Sequence, residues 1–471
     1  MADRDVPPAD RAGPGGDTPA DGGGQPLSTR RERTGWYFYD WANSAFSTTV
    51  VTVFLGPYLT VIAKAGAGCD SDDPCRGRTI DLLGFDIAPG SLFPYMVSLS
   101  VFLTVFVLPV VGAIADRSPY KKELLAVFAY LGSAATVAMV FLTGDRYLLG
   151  AGLFLLANIA FGASIVVYYS FLPQLAGPDE RDGVSSVGWA IGYLGGGTLL
   201  ALNVVAVLFK DSLGLDTGQV ARYSIVSAGL WWAAFTTIPL LRLRNRPPAA
   251  GAAQGSPLID GFRQLWHTLR SLKAYPLTLF FLIAYLVYND GIQTVIALAA
   301  VYGTEELQLS DDVLVPTILM VQFLAFFGAL GMGWLAKRIG AWKTVLISLV
   351  LWTVVLVIAY QLPAGQALPF IALGGGIGLV LGGSQALSRS LFSQLIPKGK
   401  EGEYFGLYEI SDKGTSWLGP LLFGVAYGAT ESYRVAIISL LAFFVIGFVL
   451  LLAVPIRRAI VAAGNTPPRL L

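Results

Sequence analysis

The sequence predicts an all-α membrane protein whose twelve transmembrane helices form two pseudo-symmetric six-helix bundles. Three observations carry that expectation. Only 13% of the 471 residues are charged, about half the share of soluble domains. Twelve apolar stretches each approach the ~20 residues that take a helix across a hydrocarbon core about 30 Å thick, and none alternates at period two as a transmembrane barrel does. Landmarks of the first six stretches also return in the second six, which points to a duplicated unit.

Residues 1–28 are rich in Pro, Gly and Asp and lack an apolar core, so they read as a disordered cytoplasmic tail with no cleaved signal. The first bundle, 29–242, is expected to place its spans near 36–63, 91–115, 123–142, 147–171, 184–209 and 222–241. A linker at 243–274 follows. Its Ile259, Phe262, Leu265, Trp266, Leu269 and Leu272 recur at helical spacing, the pattern of an amphipathic helix lying on the membrane surface. His267, the only histidine, falls on that helix and reads as an interfacial residue. The second bundle, 275–458, places spans near 276–302, 312–336, 342–361, 368–392, 404–427 and 433–455, and 459–471 reads as a second cytoplasmic tail.

Most of the 32 Lys and Arg fall in loops on one side, among them Arg30, Arg31, Arg33, Arg117, Lys121, Lys122, Arg242, Lys337, Arg338, Arg457 and Arg458. Translocating such segments is disfavoured, so that side and both termini are assigned to the cytoplasm. The chain is then a multi-pass integral protein, of the plasma or inner membrane if bacterial. A net charge of +1 offers nothing to nucleic acid. The two cysteines, Cys69 and Cys75, share an outer acidic loop with Asp70, Asp72 and Asp73. A short disulfide and two free thiols are the readings open there, and without histidine support no metal site is expected.

Three pairs of segments suggest the repeat. YDWANSAF, with Asp40, Asn43 and Ser44, is matched by YNDGIQTV, with Asp290, Gln293 and Thr294; GAIADRSPYKK from Gly112 by GWLAKRIGAWK from Gly333; and FLPQLA at Phe171 by LFSQLI at Leu391. The last two pairs share one offset, whereas the first has a larger one, which weakens it. Gly188, Gly192 and Gly196, and likewise Gly374, Gly378 and Gly382, line one face of a helix and let another backbone approach. Such seams suit either sliding helices or static packing.

The Gly112, Asp116, Arg117, Lys121 and Lys122 string resembles the signature loop of the major facilitator superfamily. Within it, YDWANSAF, YNDGIQTV and the long stretch from Gly382 to Pro420 resemble the branch of autophagy-linked vacuolar amino-acid effluxers and their bacterial relatives. The resemblance implies a twelve-helix facilitator fold and transport of a small solute, with amino acids the leading class. It also implies that spans one, four, seven and ten line the path. Asn43, Ser44, Asn158, Tyr168, Tyr169, Gln293 and Gln385 are the matching polar candidates. Lys337 stands where the first copy of the loop has its acidic residue, so a charge lock should be asymmetric.

An ionisable side chain at the centre of a span costs roughly 2.5–3.5 kcal/mol on insertion scales and needs a partner, a wet cavity or a role. Glu409 and Lys413 are one helical turn apart and suited to pairing, with Asp412 competing for the same cation. That cluster is either structural or part of the substrate and ion path. Asp290 is the candidate proton carrier, with Asn289 and Gln293 expected to bind its neutral form. Gating is expected of Asp40, Asp116, Arg117, Lys121 and Arg389, although Asp40 could equally pair with Arg31 or Arg33 at headgroup depth and Arg389 could meet a lipid phosphate. No catalytic residue and no cofactor is implied. No P-loop is present, so gradients, including a proton gradient, are the expected energy source. The reading is a secondary transporter of a small polar solute, amino-acid efflux by alternating access, in a lipid bilayer, with a monomer plausible. The alternatives are a lipid or amphiphile translocase and a non-transporting sensor or scaffold.

Overall fold

A computed structural model describes residues 28–70, 75, 77–247, 275–413, 418–430 and 432–471. Its helices are α1 (Arg30–Gly66), α2 (Leu92–Arg117), α3 (Lys121–Ala138), α4 (Tyr147–Tyr169), α5 (Arg181–Leu208) and α6 (Thr217–Arg242). There follow α7 (Pro276–Val301), α8 (Asp311–Ile339), α9 (Ala341–Gln361), α10 (Ala367–Gln394), α11 (Glu401–Lys413), α12 (Leu418–Thr430), α13 (Tyr433–Ala453) and α14 (Ile456–Ala462). Among the described residues, eleven helices are long and apolar enough to cross a bilayer. The remaining expected span is covered by α11 and α12, on either side of residues 414–417, which lie outside the described residues. The result is the helical fold that the apolar stretches announced.

Local chemistry sets the helix ends. Thr29 opens α1 with a reciprocal capping box to Glu32, and Asp216 opens α6 in the same way with Gln219, which occupies backbone N–H groups that a helix start leaves without partners. Within α1, residues Phe46–Phe54 widen into a π-helix. Hydroxyls close by satisfy carbonyls there: Thr48 Oγ1 donates to Ser44 O (2.8 Å) and Thr52 Oγ1 to Ser47 O (2.8 Å), as irregular backbone at membrane depth requires.

In the first half α1 packs on α5 and α6, and α4 on α2 and α3; in the second α8 and α9 pack on α10, and α7 on α13. Buried aromatics fill both, with Phe46, Phe161 and Trp232 clustered in one and Trp352 stacked on Phe444 at 5.6 Å in the other. The glycine stripes lie inside the halves. Gly188, Gly192 and Gly196 face Trp36, Asp40, Ser44 and Thr48 of α1, and Gly374, Gly378 and Gly382 face Thr317, Val321 and Ala325 of α8. They therefore serve packing mainly within a half, and the seam between the halves lies elsewhere.

That seam runs between α2 and α11, α5 and α8, and α5 and α10. Hydrogen bonds joining the halves gather at one end, where α2, α8 and α10 finish and α5 and α11 begin: Arg181 Nη1 donates to Ser393 O (3.0 Å), Ser185 Oγ to Ala386 O (2.7 Å) and Ser390 Oγ to Asp182 (2.6 Å). This is the end that carries the arginine- and lysine-rich loops. At the opposite end the polar contacts among the described residues stay within a half, as when Arg434 reaches Glu306, Tyr360 O and Leu362 O at 2.6–2.8 Å.

The outer loop holds a short hairpin, β1 (Ile80–Leu82) against β2 (Phe85–Ile87). Just before that hairpin, Cys69 and Cys75 are bonded to each other, their Cα atoms 5.8 Å apart. The carboxy-terminal segment, read from the sequence as a cytoplasmic tail, lies against the protein. Asn465 Nδ2 donates to Gln394 O (2.9 Å) and Ile396 O (2.7 Å), and Arg469 N donates to Asp179 (2.7 Å). These backbone and amide bonds at two helix ends hold 465–469 against the protein. The amino-terminal tail and the surface helix bearing His267 lie outside the described residues.

Candidate functional site

Arg389, near the end of α10, is fully buried. Its guanidinium crosses to the first half, where Nη1 lies 3.3 Å from Asp40 Oδ2, Nε donates to Ser185 Oγ (2.9 Å) and Nη2 to Ser185 O (2.8 Å). Four rings surround it: Tyr169 at 4.8 Å, Trp36 at 4.9 Å, Trp189 at 5.3 Å and Tyr168 at 5.9 Å. A buried charge is tolerated only when paired and hydrogen-bonded, and a flat guanidinium also gains from stacking on aromatic faces. Gly188 makes the room, since a Cβ there would lie 2.7 Å from Trp36 and 3.1 Å from Arg389. The lipid-phosphate reading of Arg389 is thereby overturned: burial removes it from any headgroup. Asp40 likewise pairs with neither Arg31 nor Arg33, because its helix turns it inward, and Arg33 reaches Glu180 instead.

One layer further into the membrane region, a polar cluster belongs to the second half. Tyr285 Oη donates to Asp412 (2.7 Å), Asn289 Nδ2 donates to Asp412 (2.9 Å), Gln385 Nε2 donates to Asn289 Oδ1 (2.8 Å), and Tyr288 and Ser388 share a hydrogen bond at 2.7 Å. Glu409 is buried beside them on the same helix as Asp412. The side chain of Lys413 lies outside the described residues.

Asp290 stands apart from this cluster. It is 1% exposed, and neither carboxylate oxygen has a hydrogen-bond partner among the described residues. Asn289 was expected to serve it, but neighbours on a helix point about 100° apart, so Asn289 turns to Asp412 and Gln385 while Asp290 faces Gly419 of α12. Gln293 is half-buried one turn along.

The signature loop forms the second crossing. Asp116 accepts from the N–H groups of Gly402 (2.7 Å) and Glu403 (3.0 Å) at the start of α11, with Lys121 Nζ 3.8 Å away. A carboxylate thus caps a helix of the opposite half. Gly112 and Gly402 bring the two backbones together, and any Cβ would collide with the facing carbonyl. In the second copy, Lys337 lies along Gly183 at the start of α5, so the charge on that side is reversed, as the sequence implied.

A family profile described as vacuole effluxer Atg22 like matches residues 28–464. The chain belongs to the Atg22-like family. Across 90% of this chain and 95% of its own length, an uncharacterised MFS-type transporter, YxiO, of Bacillus subtilis is 29% identical. Autophagy-related protein 22 of Pyricularia oryzae is 27% identical over 90% of the chain and 75% of that protein. Among solved structures, the major facilitator superfamily transporter FucP in the outward conformation superposes with a TM-score of 0.58 at 13% identity, covering 89% of this chain and 97% of that one. The fold is therefore that of a major facilitator, and the relatives are membrane transporters.

On this Atg22-like frame the structure gathers Asp40, Tyr168, Tyr169 and Arg389 at one crossing, Asp116 with Lys121 at another, and Gln385 with Asp412 in the cluster. Arg117 is half-buried at the end of α2. Asn158 sits apart, donating to Ser100 of α2 at 2.8 Å, while Asn43 is buried and Ser44 faces Gly192. Ser185, Trp36, Trp189 and Tyr285 escaped the sequence reading. Tyr285 carried a signal, one turn before Asn289 on the same face; Trp36 and Trp189 read as ordinary apolar residues, and Ser185 as the start of a span.

Proposed function

We propose that this Atg22-like protein is a secondary transporter that expels a small polar solute from the cytoplasm by alternating access, with proton exchange as the coupled step. The supporting observation is the gathering of inter-half hydrogen bonds at a single end. Two bundles fastened at one end can part there only by exchanging those bonds for others, which is the bistable element that rocking needs. We assign that end to the cytoplasm by its Arg and Lys loops. The Arg389 crossing and the Asp116 cap are then the inner gate.

Amino acids are the solute class that the resemblance of Gly382–Pro420 implies. The polar cluster of Asn289, Gln385, Glu409 and Asp412 supplies both donors and acceptors for such a solute. Asp290 is our proton-exchanging residue, because it is a carboxyl buried within a span with no ion-pair or side-chain hydrogen-bond partner among the described residues. A potential of 100 mV contributes about 2.3 kcal/mol per charge moved, enough to drive expulsion against a modest gradient. The test is flux of labelled amino acids from proteoliposomes of purified protein, with and without a pH gradient. Solute-specific flux that a proton ionophore collapses supports the reading; lipid movement without solute flux, or no flux of any solute, overturns it.

A further inference from the structure

The inner gate suggests what kind of solute the first half is shaped to hold. Arg389 is the charged group that the second half sends into this crossing. Everything that surrounds the guanidinium as described above, namely Trp36, Asp40, Tyr168, Tyr169, Ser185 and Trp189, belongs to α1, α4 and α5. Three of those residues hold one another in place. Trp36 Nε1 donates to Tyr168 O (3.0 Å), the two rings stack at 4.5 Å, and Tyr168 Oη donates to Asp40 (2.6 Å). The Trp36, Tyr168 and Asp40 side of the box therefore does not depend on Arg389 for its shape.

We infer that this aromatic box is a binding site for a cationic solute, a guanidinium or alkylammonium group, and that Arg389 occupies it in the closed gate as a tethered stand-in for that group. The inference rests on the transporter reading. When the halves part at this end, α10 withdraws Arg389, and Asp40 is left under four rings with its charge partner gone. Aromatic faces around a carboxylate favour a planar or alkylated cation over a neutral or anionic one. A solute cation entering from that side then replaces the arginine, and its departure lets Arg389 return and close the gate. Because the tethered guanidinium competes at high effective concentration, free cations bind the resting protein weakly.

The test uses the full chain in detergent and in proteoliposomes. With Arg389→Ala, agmatine and ethylguanidinium at millimolar concentration are expected to raise the melting temperature and to quench tryptophan fluorescence. Leucine and glutamate should do neither, and the response should vanish in Arg389→Ala with Asp40→Asn. In the wild type, agmatine should bind at least ten-fold more weakly, and arginine should compete with labelled solute in flux. If Arg389→Ala does not fold, the wild type decides alone: arginine competition at least ten-fold stronger than that of leucine, and weakened by Trp189→Leu, supports the box. Equal responses to leucine and agmatine, or flux of neutral solutes untouched by any cation, overturn this inference while leaving the transporter reading standing. Absence of flux for every solute would sink both.

Discussion

In the first half, Asp40 lies one turn before Ser44, and both face Gly192 of α5; in the second, Asp290 lies one turn before Thr294, and both face Gly419 of α12. The two carboxylates occupy matching places on matching seams. Their surroundings differ completely. Asp40 receives Tyr168 at 2.6 Å and Arg389 at 3.3 Å, whereas neither oxygen of Asp290 has a partner among the described residues. The reason traces to one position of the repeat. Aligning FLPQLA with LFSQLI sets Tyr169 opposite Arg389, so one half sends a cation across the seam and the other sends a phenol, which packs against Phe405 at 5.4 Å. Duplication conserved the backbone seam, and a single side chain decided which acid became part of a latch.

The largest effect should come from breaking that latch. Asp40→Asn leaves a buried guanidinium short of its counter-charge and is expected to cost about 3–5 kcal/mol in thermal or denaturant unfolding. Asp40→Asn with Arg389→Met should recover much of that loss, because no uncompensated guanidinium is then left buried and the amide oxygen can still accept from Tyr168 Oη; a double variant as unstable as the single would show that the charge pair is not what holds the crossing. The seams themselves should respond alike. Gly192→Ala and Gly419→Ala each push a methyl into Asp40–Ser44 or Asp290–Thr294 and should destabilise by about 1–3 kcal/mol, and strongly unequal costs would break the equivalence of the halves.

A smaller effect is expected where the halves meet through a helix cap. Asp116→Asn keeps the shape but weakens the anionic cap on α11, at a cost of about 1 kcal/mol, and cysteine labelling at Ser390→Cys should rise as that end opens more often. The smallest stability change belongs to Asp290→Asn. With neither carboxylate oxygen hydrogen-bonded to a side chain among the described residues, its stability should stay within about 0.5 kcal/mol of the parent, while the pH dependence of flux disappears. Unchanged pH-driven flux would remove Asp290 from the coupling, and a large loss of stability would reveal a partner for its carboxylate.

Much of the fold was readable from one dimension. Apolar runs gave the spans to within a few residues because bilayer thickness sets helix length, and the α1 and α7 motifs hinted at a repeat even though their offset argued against it. The offset misled because insertions in loops shift numbering without moving the helices, and the seam geometry of Gly192 and Gly419 restores the match. The site was readable in part. Asp40 and Asp290 announced themselves as charges within apolar spans and Arg389 as a polar candidate near the end of span ten, while Trp36 and Trp189 looked like core residues because an aromatic ring is at home in lipid, protein or a cation box.

By itself, then, the sequence determined the membrane class, the helical spans, the duplicated plan and the short roster of buried polar groups, all of which follow from hydropathy and local periodicity. Which of those groups meet was decided only by tertiary structure. A helical sequence fixes the angle at which each side chain leaves its axis, but not which helix stands opposite. That choice turned Asn289 toward Asp412, left Asp290 facing a glycine, and carried Arg389 across the seam to Asp40.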